Sequence, residues 1–309
     1  MEYHKKNTGL PVGRSNIKYQ ISKKSNIIFV FLLICLSYYL FKSITSSVFL
    51  KGRDKVNVVF YGKETRFYSL DQKNVNYLLS FPNLVKLTVP GGYGEYKVGA
   101  IGKLVSLEKK PDIIRKAFSA ATSSLVDLYF YQKKTTIYYD NFILKQTPTF
   151  MEIFFTNSNA NLVDRIYLFY IFSTENKESF QIIDLKPFEL ENNNSIFDYD
   201  SFYKKFQGSF FQKIYRNNDI NVQVTYKKSY KTAQLIGQMI EGEGIRVVDL
   251  LNQNKTLKGC LLITDENTSA TKTYQRLADF FKCKTKIGET TVSDIILELG
   301  DLEKEWAVN

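Results

Sequence analysis

An uncharged apolar run near the N-terminus constrains this chain more than any other feature. Residues 27–41 read IIFVFLLICLSYYLF, and Lys42 is the only charged residue between Asn26 and Leu50. About 20 apolar residues are needed to cross a bilayer, and residues 25–46 supply them. The run is long for a cleaved signal peptide, and no A-x-A-like cleavage site follows it. We therefore predict a transmembrane helix over 25–46 that acts as an uncleaved signal anchor.

The charges that flank this run predict its orientation. Residues 1–24 form a basic tail with six cationic side chains: Lys5, Lys6, Arg14, Lys18, Lys23 and Lys24. Cytoplasmic flanks of membrane helices are enriched in Lys and Arg. We expect the tail in the cytoplasm and the bulk of the chain, from about Lys51 onward, outside it. The predicted location is a single-pass position in the cell membrane, with residues 25–46 contacting the lipid bilayer.

The composition excludes several kinds of chemistry. His4, in the basic tail, is the single histidine of the 309 residues, so a Ser-His-Asp triad, a Cys-His pair and His-ligated zinc are excluded from the folded part. The three cysteines include no CxxC pair, and we predict no metal site. The formal net charge is +11, but no run of Lys or Arg exceeds two residues. We therefore predict no nucleic-acid partner.

Apolar periodicities predict an α/β domain over residues 55–215. Short strands are predicted at 56–61, 65–70, 75–81, 84–89, 126–131 and 135–140. A helix is predicted to begin at Pro111-Asp112, because proline and an acidic residue favour the first turn. Residues 161–173 are too short to span a membrane, and their spacing predicts an amphipathic core helix with a buried face. That face comprises Leu162, Ile166, Phe169 and Tyr170.

A second, smaller domain is predicted over residues 219–309. Its strands are predicted at 221–226, 245–250, 260–264 and 294–299. One helix carries the stripe Ala233, Ile236, Met239 and Ile240, and another carries Ala270, Tyr274, Leu277, Ala278 and Phe281. The resulting order, βαββαβ, is typical of a compact split βαβ domain.

Two cysteines of this second domain are candidates for a disulfide. Cys260 begins a predicted strand, and Cys283 ends the helix that returns antiparallel to it, so both lie at the same edge of the sheet. Thiols outside the cytoplasm tend to oxidise. The alternatives are a disulfide and two buried free thiols, and we expect the disulfide. Cys35 falls in the membrane run, as a packing residue or an acylation site.

A glycine-rich stretch, VPGGYGEY at residues 89–96, raises the question of a phosphate-binding loop. A P-loop ending at Gly102-Lys103 requires glycine at position 97, and a G-x-G-x-x-G pattern beginning at Gly92 requires it there too. Position 97 is Lys97, so neither motif is complete. The glycines follow a strand and a proline, which predicts a tight turn. If a ligand binds here, Tyr93 and Tyr96 favour stacking on a sugar.

The layout resembles that of the LytR–CpsA–Psr family of bacterial envelope proteins. Residues 222–249, VQVTY…KTAQLIGQMIEGEGIRVVD, and 294–301, DIILELGD, are similar to the C-terminal domain of LytR. Residues 67–100 and 110–131 more faintly resemble the family's catalytic domain. Catalytic members transfer a lipid-pyrophosphate-linked glycopolymer to the cell wall. They use arginines for the pyrophosphate, and carboxylates that hold Mg²⁺.

The residues that the family uses are missing where they are expected. Asn83-Leu84 replaces the Arg-Asp that follows the proline, and the expected acidic position falls near Lys63. The resemblance therefore implies the fold and the compartment without the reaction. We expect a non-catalytic envelope protein with no cofactor, which binds cell-wall polymer, a lipid-linked glycan or an envelope partner.

Two alternatives remain open. One is an active Mg²⁺-dependent transferase with a rearranged site. Its candidate residues are Arg66, Lys97, Lys103 and Arg115, with Glu95 as a carboxylate. Each of these is otherwise a solvated surface charge. The other alternative is an assembly or adhesin-like protein of the envelope.

Overall fold

One long apolar helix begins the part of the chain that the computed structural model describes, which comprises residues 14–71, 75–134, 136–139, 146–174, 179–190, 195–254 and 257–308. This helix, α1, runs over Arg14–Ser46. Its window Phe29–Ser46 has a mean hydropathy of 1.6 and is 6% buried. Within the described residues, it is the one helix long and apolar enough to cross a membrane. It is thus compatible with the anchor predicted over 25–46.

The remaining elements alternate between strands and short helices. The strands are β1 (Lys55–Tyr61), β2 (Thr65–Asp71), β3 (Asn76–Phe81), β4 (Lys86–Val89), β5 (Gly94–Lys97), β6 (Leu128–Tyr131), β7 (Asn157–Ser158), β8 (Phe180–Ile183), β9 (Glu189–Leu190), β10 (Ile196–Phe197), β11 (Asn221–Tyr226), β12 (Arg246–Asn252), β13 (Leu261–Thr264), β14 (Lys284–Ile287) and β15 (Ile295–Glu298). The helices after α1 are α2 (Ile101–Glu108), α3 (Asp112–Thr122), α4 (Phe150–Phe154), α5 (Leu162–Thr174), α6 (Tyr199–Phe206), α7 (Lys213–Asn217), α8 (Tyr230–Gly242), α9 (Glu266–Ser269), α10 (Lys272–Phe281) and α11 (Leu302–Glu305).

A six-stranded mixed sheet forms the centre of the first globular part, in the order β7-β6-β1-β2-β3-β8. β2 and β3 pair antiparallel from Thr65↔Phe81, which confirms the predicted hairpin, although residues 72–74 lie outside the described part. β6 runs parallel to β1, and β8 runs parallel to β3. Every residue of β1 and β2 is buried. The sheet is therefore covered on both faces.

Helices cover both faces of this sheet. Because side chains alternate along each strand, neighbouring residues pack against opposite layers. Val59 of β1 packs with Ile114 and Phe118 of α3 in one core. Phe60, the next residue of β1, packs with Leu168 of α5 in a core on the opposite face. The helix predicted to begin at Pro111-Asp112 is confirmed as α3. The structure confirms the predicted mixed α/β class.

The buried face predicted for α5 is wrong. Leu162, Ile166, Phe169 and Tyr170 are 36%, 51%, 41% and 64% exposed, respectively. Asp164, Leu168 and Phe172 are buried instead. The helix is apolar around most of its circumference, so two apolar stripes compete, and the sequence pattern selects the wrong one.

A smaller sheet, β5-β4-β10-β9, packs beside the first. β4 and β5 form a hairpin in which Val89 pairs with Gly94. The strand predicted at 135–140 is wrong for residues 136–139, which have no regular structure, while 135 and 140 lie outside the described part. The backbone here crosses Gly99 instead of pairing as a strand. A Cβ at Gly99 would lie 2.0 Å from the Tyr138 carbonyl oxygen, and the Tyr138 N–H donates to the Gly99 oxygen at 3.1 Å.

The C-terminal sheet has the order β12-β11-β15-β13-β14. The predicted stripe Ala233, Ile236, Met239 and Ile240 of α8 is fully buried. The predicted βαββαβ order lacks one strand, because β14 lies between α10 and β15. All four residues of β14 are exposed, so they carry no apolar alternation to mark a strand. Ala270 precedes α10, which begins after its N-cap Thr271.

Buried charges join the C-terminal part to the first part. Arg276 of α10 places Nη1 2.5 Å from Asp127 Oδ1 and Nε 3.1 Å from Glu243 Oε2. Leu125 and Tyr215 pack in the same core as α8 and α10. The division at 215–219 remains a sequence-based prediction, and the packed junction extends to both sides of it.

Candidate functional site

A cleft of about 260 Å³ lies at the carboxyl ends of the parallel strands β1 and β6. The carboxyl edge of parallel strands is where α/β proteins tend to bind ligands, because the loops diverge there. The cleft combines aromatic, charged and amide side chains. Its lining comprises Phe60, Tyr61, Gly62, Lys63, Glu64, Arg66, Phe130, Tyr131, Gln132, Thr149, Glu152 and Thr156.

Arg66 forms the charged floor of this cleft. It lies within β2, opposite Phe60 of β1, and it is 1% exposed. Its Nη2 forms an ion pair with Glu152 Oε1, and its Nη1 donates to the Thr147 carbonyl oxygen at 3.2 Å. The structure thus places Arg66 at a cleft and holds it there with a carboxylate.

Glu152 is positioned by a capping box at the start of α4. Thr149 Oγ1 accepts from the Glu152 N–H at 3.2 Å, and Glu152 Oε2 accepts from the Thr149 N–H at 2.7 Å. The sequence reasoning missed Glu152 as a site residue. The signal that would have found α4 is the Thr149-x-x-Glu152 spacing before an apolar pair. Its pairing with Arg66 spans 86 positions, and no local pattern encodes that.

The rim of the cleft carries a second cation and a second carboxylate. Lys63 and Glu64 occupy the turn between β1 and β2, and Lys63 is exposed. Asn83 Nδ2 donates to the Lys63 carbonyl oxygen at 2.9 Å, which fixes the backbone of this turn. The family resemblance leads us to expect arginine at position 83. The asparagine found there holds the turn that carries Lys63 and Glu64.

Aromatic rings form the walls. Tyr61 accepts a hydrogen bond from the Gly102 N–H at 2.7 Å, and burial raises the pKa of its phenol, so it stays neutral. Phe60 and Phe130 stack with ring centroids 4.5 Å apart. Tyr131 is half-buried at the carboxyl end of β6. A ring face beside cations and an amide suits a polyhydroxylated or anionic ligand.

The glycine-rich turn serves a different purpose. The N–H groups of Gly91 and Gly92 both donate to the Ala307 carbonyl oxygen, at 2.9 and 3.0 Å. These donors are occupied by the chain itself, so they do not cradle a phosphate. Tyr93 donates to Glu108 Oε2 at 3.2 Å, and its ring, like that of Tyr96, is partly buried against the core.

The other predicted site residues do not meet at the cleft. Glu95, Lys97 and Lys103 are exposed and none of them lines it. Arg115 lies at the junction with the C-terminal part, where it pairs with Asp112 at 2.6 Å and stacks 4.4 Å from the ring centroid of Phe280. The structure thus separates the candidates and brings only Arg66 to the cleft.

Cys260 and Cys283 form a disulfide in the structure. Among the described residues, no group of three or more His, Cys, Asp or Glu side chains is arranged to hold a metal ion. No protein-family model matches this chain, and no curated protein or solved structure matches it either.

Proposed function

We propose that this chain is a membrane-anchored extracytoplasmic envelope protein that binds a cell-wall glycan and does not transfer it. The observation that carries the proposal is the cleft at the carboxyl ends of β1 and β6. Arg66 and Lys63 supply positive charge, while Tyr131 supplies a ring face. Anionic sugars are recognised by charge-assisted hydrogen bonds together with aromatic contact.

The location rests on α1 and on the sequence before it. From Phe29 onward the helix is apolar, and its side chains are exposed except that of Ser43. The basic residues that precede it favour a cytoplasmic N-terminus. The folded part from β1 onward is then extracytoplasmic, and the Cys260–Cys283 bond suits an oxidising compartment.

Binding without transfer is favoured by how the charges are used. Pyrophosphate transfer in the family that this sequence resembles needs arginines free to clamp phosphate and carboxylates that hold Mg²⁺. Among the lining residues that the structure describes, Arg66 is the one arginine, and it already pairs with Glu152. Glu64 and Glu152 are the two carboxylates among the described residues of the lining, and Glu152 is already engaged by Arg66 and by the Thr149 N–H at 2.7 Å.

Retention on isolated cell walls tests the proposal. The full chain in lipid nanodiscs is sedimented with walls, in parallel with Lys63→Ala and the matched surface variant Lys97→Ala. Both lysines are exposed, so neither change disturbs the core. A lost charge-assisted contact costs about 1.5 kcal/mol or more, or roughly tenfold in affinity. We expect that loss for Lys63→Ala and none for Lys97→Ala; the reverse order would move the site to the β4–β5 hairpin and overturn the proposal.

A second candidate is the transferase itself. It is favoured by the convergence of Glu64, Glu152 and Arg66 in one cleft. This candidate predicts Mg²⁺-dependent release of lipid pyrophosphate from a lipid-linked sugar, abolished by Glu64→Gln. Turnover by the wild-type chain would replace the binding proposal. We expect no turnover.

A further inference from the structure

A second cavity, of about 230 Å³, lies where distant segments of the chain meet. Val48 and Lys51 line it from the segment that follows α1, Tyr129 from β6 and Phe280 from the end of α10. No described residue lines both this cavity and the cleft at the carboxyl ends of β1 and β6. We call it the junction cavity, and the function proposed above does not use it.

Cations outnumber carboxylates in the described lining of the junction cavity. The carboxylates are Asp112, Asp127 and Asp279. The cations are Lys51, Arg53, Arg115, Arg276 and Lys282. Glu243 pairs with Arg276 without lining the cavity, and adding its charge still leaves the cations in excess. A concave surface with such an excess attracts anions.

Arg53 contributes a guanidinium with one unused edge. Its side chain is 7% exposed, and its Nη1 forms an ion pair with Asp127 Oδ1. Its Nε and Nη2 donate to no described residue, and neither belongs to the described polar atoms that are buried without a partner. Both atoms are therefore accessible from the cavity. Their N–H groups lie on one edge of the guanidinium and can donate in parallel to two oxygens of one anion.

Two lysines of the lining are also available to a ligand. Lys282 is exposed and pairs with none of the residues that the structure describes. Lys51 lies 2.7 Å from Asp279, but the two side chains are 39% and 52% exposed, and such a surface pair contributes little. Arg115 and Arg276 are already held by carboxylates.

We propose that the junction cavity binds a phosphate group through the free edge of Arg53 and the ammonium groups of Lys51 and Lys282. A carboxylate has two oxygens, and the edge of Arg53 alone would occupy both of them. A phosphate offers the same pair of oxygens to Arg53 and further oxygens to the lysines. Its negative charge also matches the excess of cations.

The phosphate has two possible sources, a lipid headgroup and a soluble phosphate. Val48 lies two residues beyond Ser46, the last residue of α1, which is at most about 7 Å of chain. On the membrane anchoring proposed above, one wall of the cavity is therefore close to the headgroup layer. The soluble source does not depend on that anchoring.

A lysine-acetylation footprint tests the site and separates the sources. The full chain is compared in phosphatidylcholine nanodiscs, in the same discs with inorganic phosphate replacing chloride at constant ionic strength, and in discs that contain phosphatidylglycerol. Acetylation of Lys282 is read by mass spectrometry. Lys284 of the same chain is the reference, because it is exposed and outside the described lining.

Three variants are compared with the parent chain. Arg53→Lys keeps a cation beside Asp127 and removes the free edge, and Lys51→Gln removes one exposed ammonium group. Lys286→Gln, on the exposed strand β14, is the matched control. Since Lys51 lies at the surface, its variant keeps the test decisive if Arg53→Lys fails to fold.

We expect phosphate to slow acetylation of Lys282 relative to Lys284. The phosphate concentration that halves the rate should rise about tenfold in Arg53→Lys and in Lys51→Gln, because each loses a charge-assisted contact. It should not change in Lys286→Gln. Slowing in the phosphatidylglycerol discs alone would identify a headgroup as the ligand, with the same two variants losing the protection. Undiminished acetylation of Lys282 in both arms, or slowing that is equal in all three variants, would overturn the proposal.

Discussion

At the scale of single residues, Arg276 is the central cation of a buried cluster of ion pairs. Its side chain is 2% exposed and lies between Asp127 and Glu243, whose side chains are fully buried. Burial alone would lower the pKa of Arg276, and the two carboxylates outweigh burial and raise it. Arg53 forms a second ion pair with Asp127. The cluster joins α10, the end of α8 and the segment before β6.

We predict that Arg276→Ala destabilises the protein by about 3–5 kcal/mol, because it leaves buried carboxylates without their main counter-charge. Lys304→Ala is the matched control, since Lys304 pairs with Asp301 on the surface and its side chain is 71% exposed. Urea unfolding of the detergent-solubilised chain measures both. Equal unfolding midpoints for the two variants would contradict the role given to the cluster.

Asp198 provides a residue-scale prediction with a pH dependence. Its Oδ1 accepts from the Ser201 N–H at 3.1 Å, and its Oδ2 accepts from Ser201 Oγ at 2.6 Å, which caps α6. The Ser201 side chain and N–H hold the pKa of Asp198 below its usual 3.8. A depressed carboxyl pKa adds stability that is present above the unfolded value and is lost as the pH falls through the folded value.

We predict that Asp198→Ala costs about 1 kcal/mol at neutral pH, the usual value of an N-cap, and that the cost shrinks as Asp198 protonates. Asp198→Asn keeps a capping oxygen at every pH and serves as the control. Unfolding midpoints at neutral and acidic pH report the difference. A cost of Asp198→Ala that stayed constant through the carboxyl range would argue against the charged cap.

At the scale of elements, α8 approaches the first part too closely for a side chain at its end. A Cβ at Gly242 would lie 1.7 Å from the Ser123 carbonyl oxygen, whereas one at Gly62 would meet nothing within 4 Å. The obstacle is backbone, which cannot rotate aside. Glycine at 242 thus sets the distance between two elements.

We predict that Gly242→Ala lowers stability by about 1–3 kcal/mol, the usual cost of overpacking. Gly62→Ala is expected to be close to neutral. Thermal unfolding in detergent compares the two substitutions. An unchanged thermal unfolding midpoint for Gly242→Ala would show that α8 can move away from Ser123 without loss of stability, which would contradict the prediction.

The disulfide ties β13 to the start of β14 across 23 positions of chain. In the loop-entropy account, a bridge of that span stabilises by about 3 kcal/mol. We predict a loss of that size for the double variant Cys260→Ser/Cys283→Ser, measured by urea unfolding. Cys35→Ser is the control, because Cys35 is a free thiol on α1. A double variant as stable as the parent would contradict a structural role for the bond.

At the scale of the whole molecule, the sequence predicted most strands and the main helices, because these have strong apolar periods. Pro111-Asp112 before α3 and the buried stripe of α8 are the clearest cases. β14 was missed since it is an exposed edge with no apolar pattern. The buried face predicted for α5 is wrong because both of its stripes are apolar.

The candidate site was less accessible to sequence reasoning than the fold. Arg66 was named as a candidate, but its partner Glu152 lies 86 positions away and was not. Such a pair arises from strand order and from the return of the chain through α4, which no local spacing contains. The glycines of the VPGGYGEY turn suggest a phosphate loop in the sequence, whereas in the structure the N–H groups of Gly91 and Gly92 donate to the Ala307 carbonyl oxygen.

The most direct test of the central claim is a lysine-modification footprint of the full chain in nanodiscs, with and without a saturating soluble fragment of cell-wall glycan. Lys63, Lys97 and Lys103 are all exposed, and only Lys63 lines the cleft. We predict that the glycan slows acetylation of Lys63, read by mass spectrometry, and leaves the other two unchanged. Acetylation of Lys63 at an undiminished rate, with protection appearing at Lys97 instead, would contradict the account.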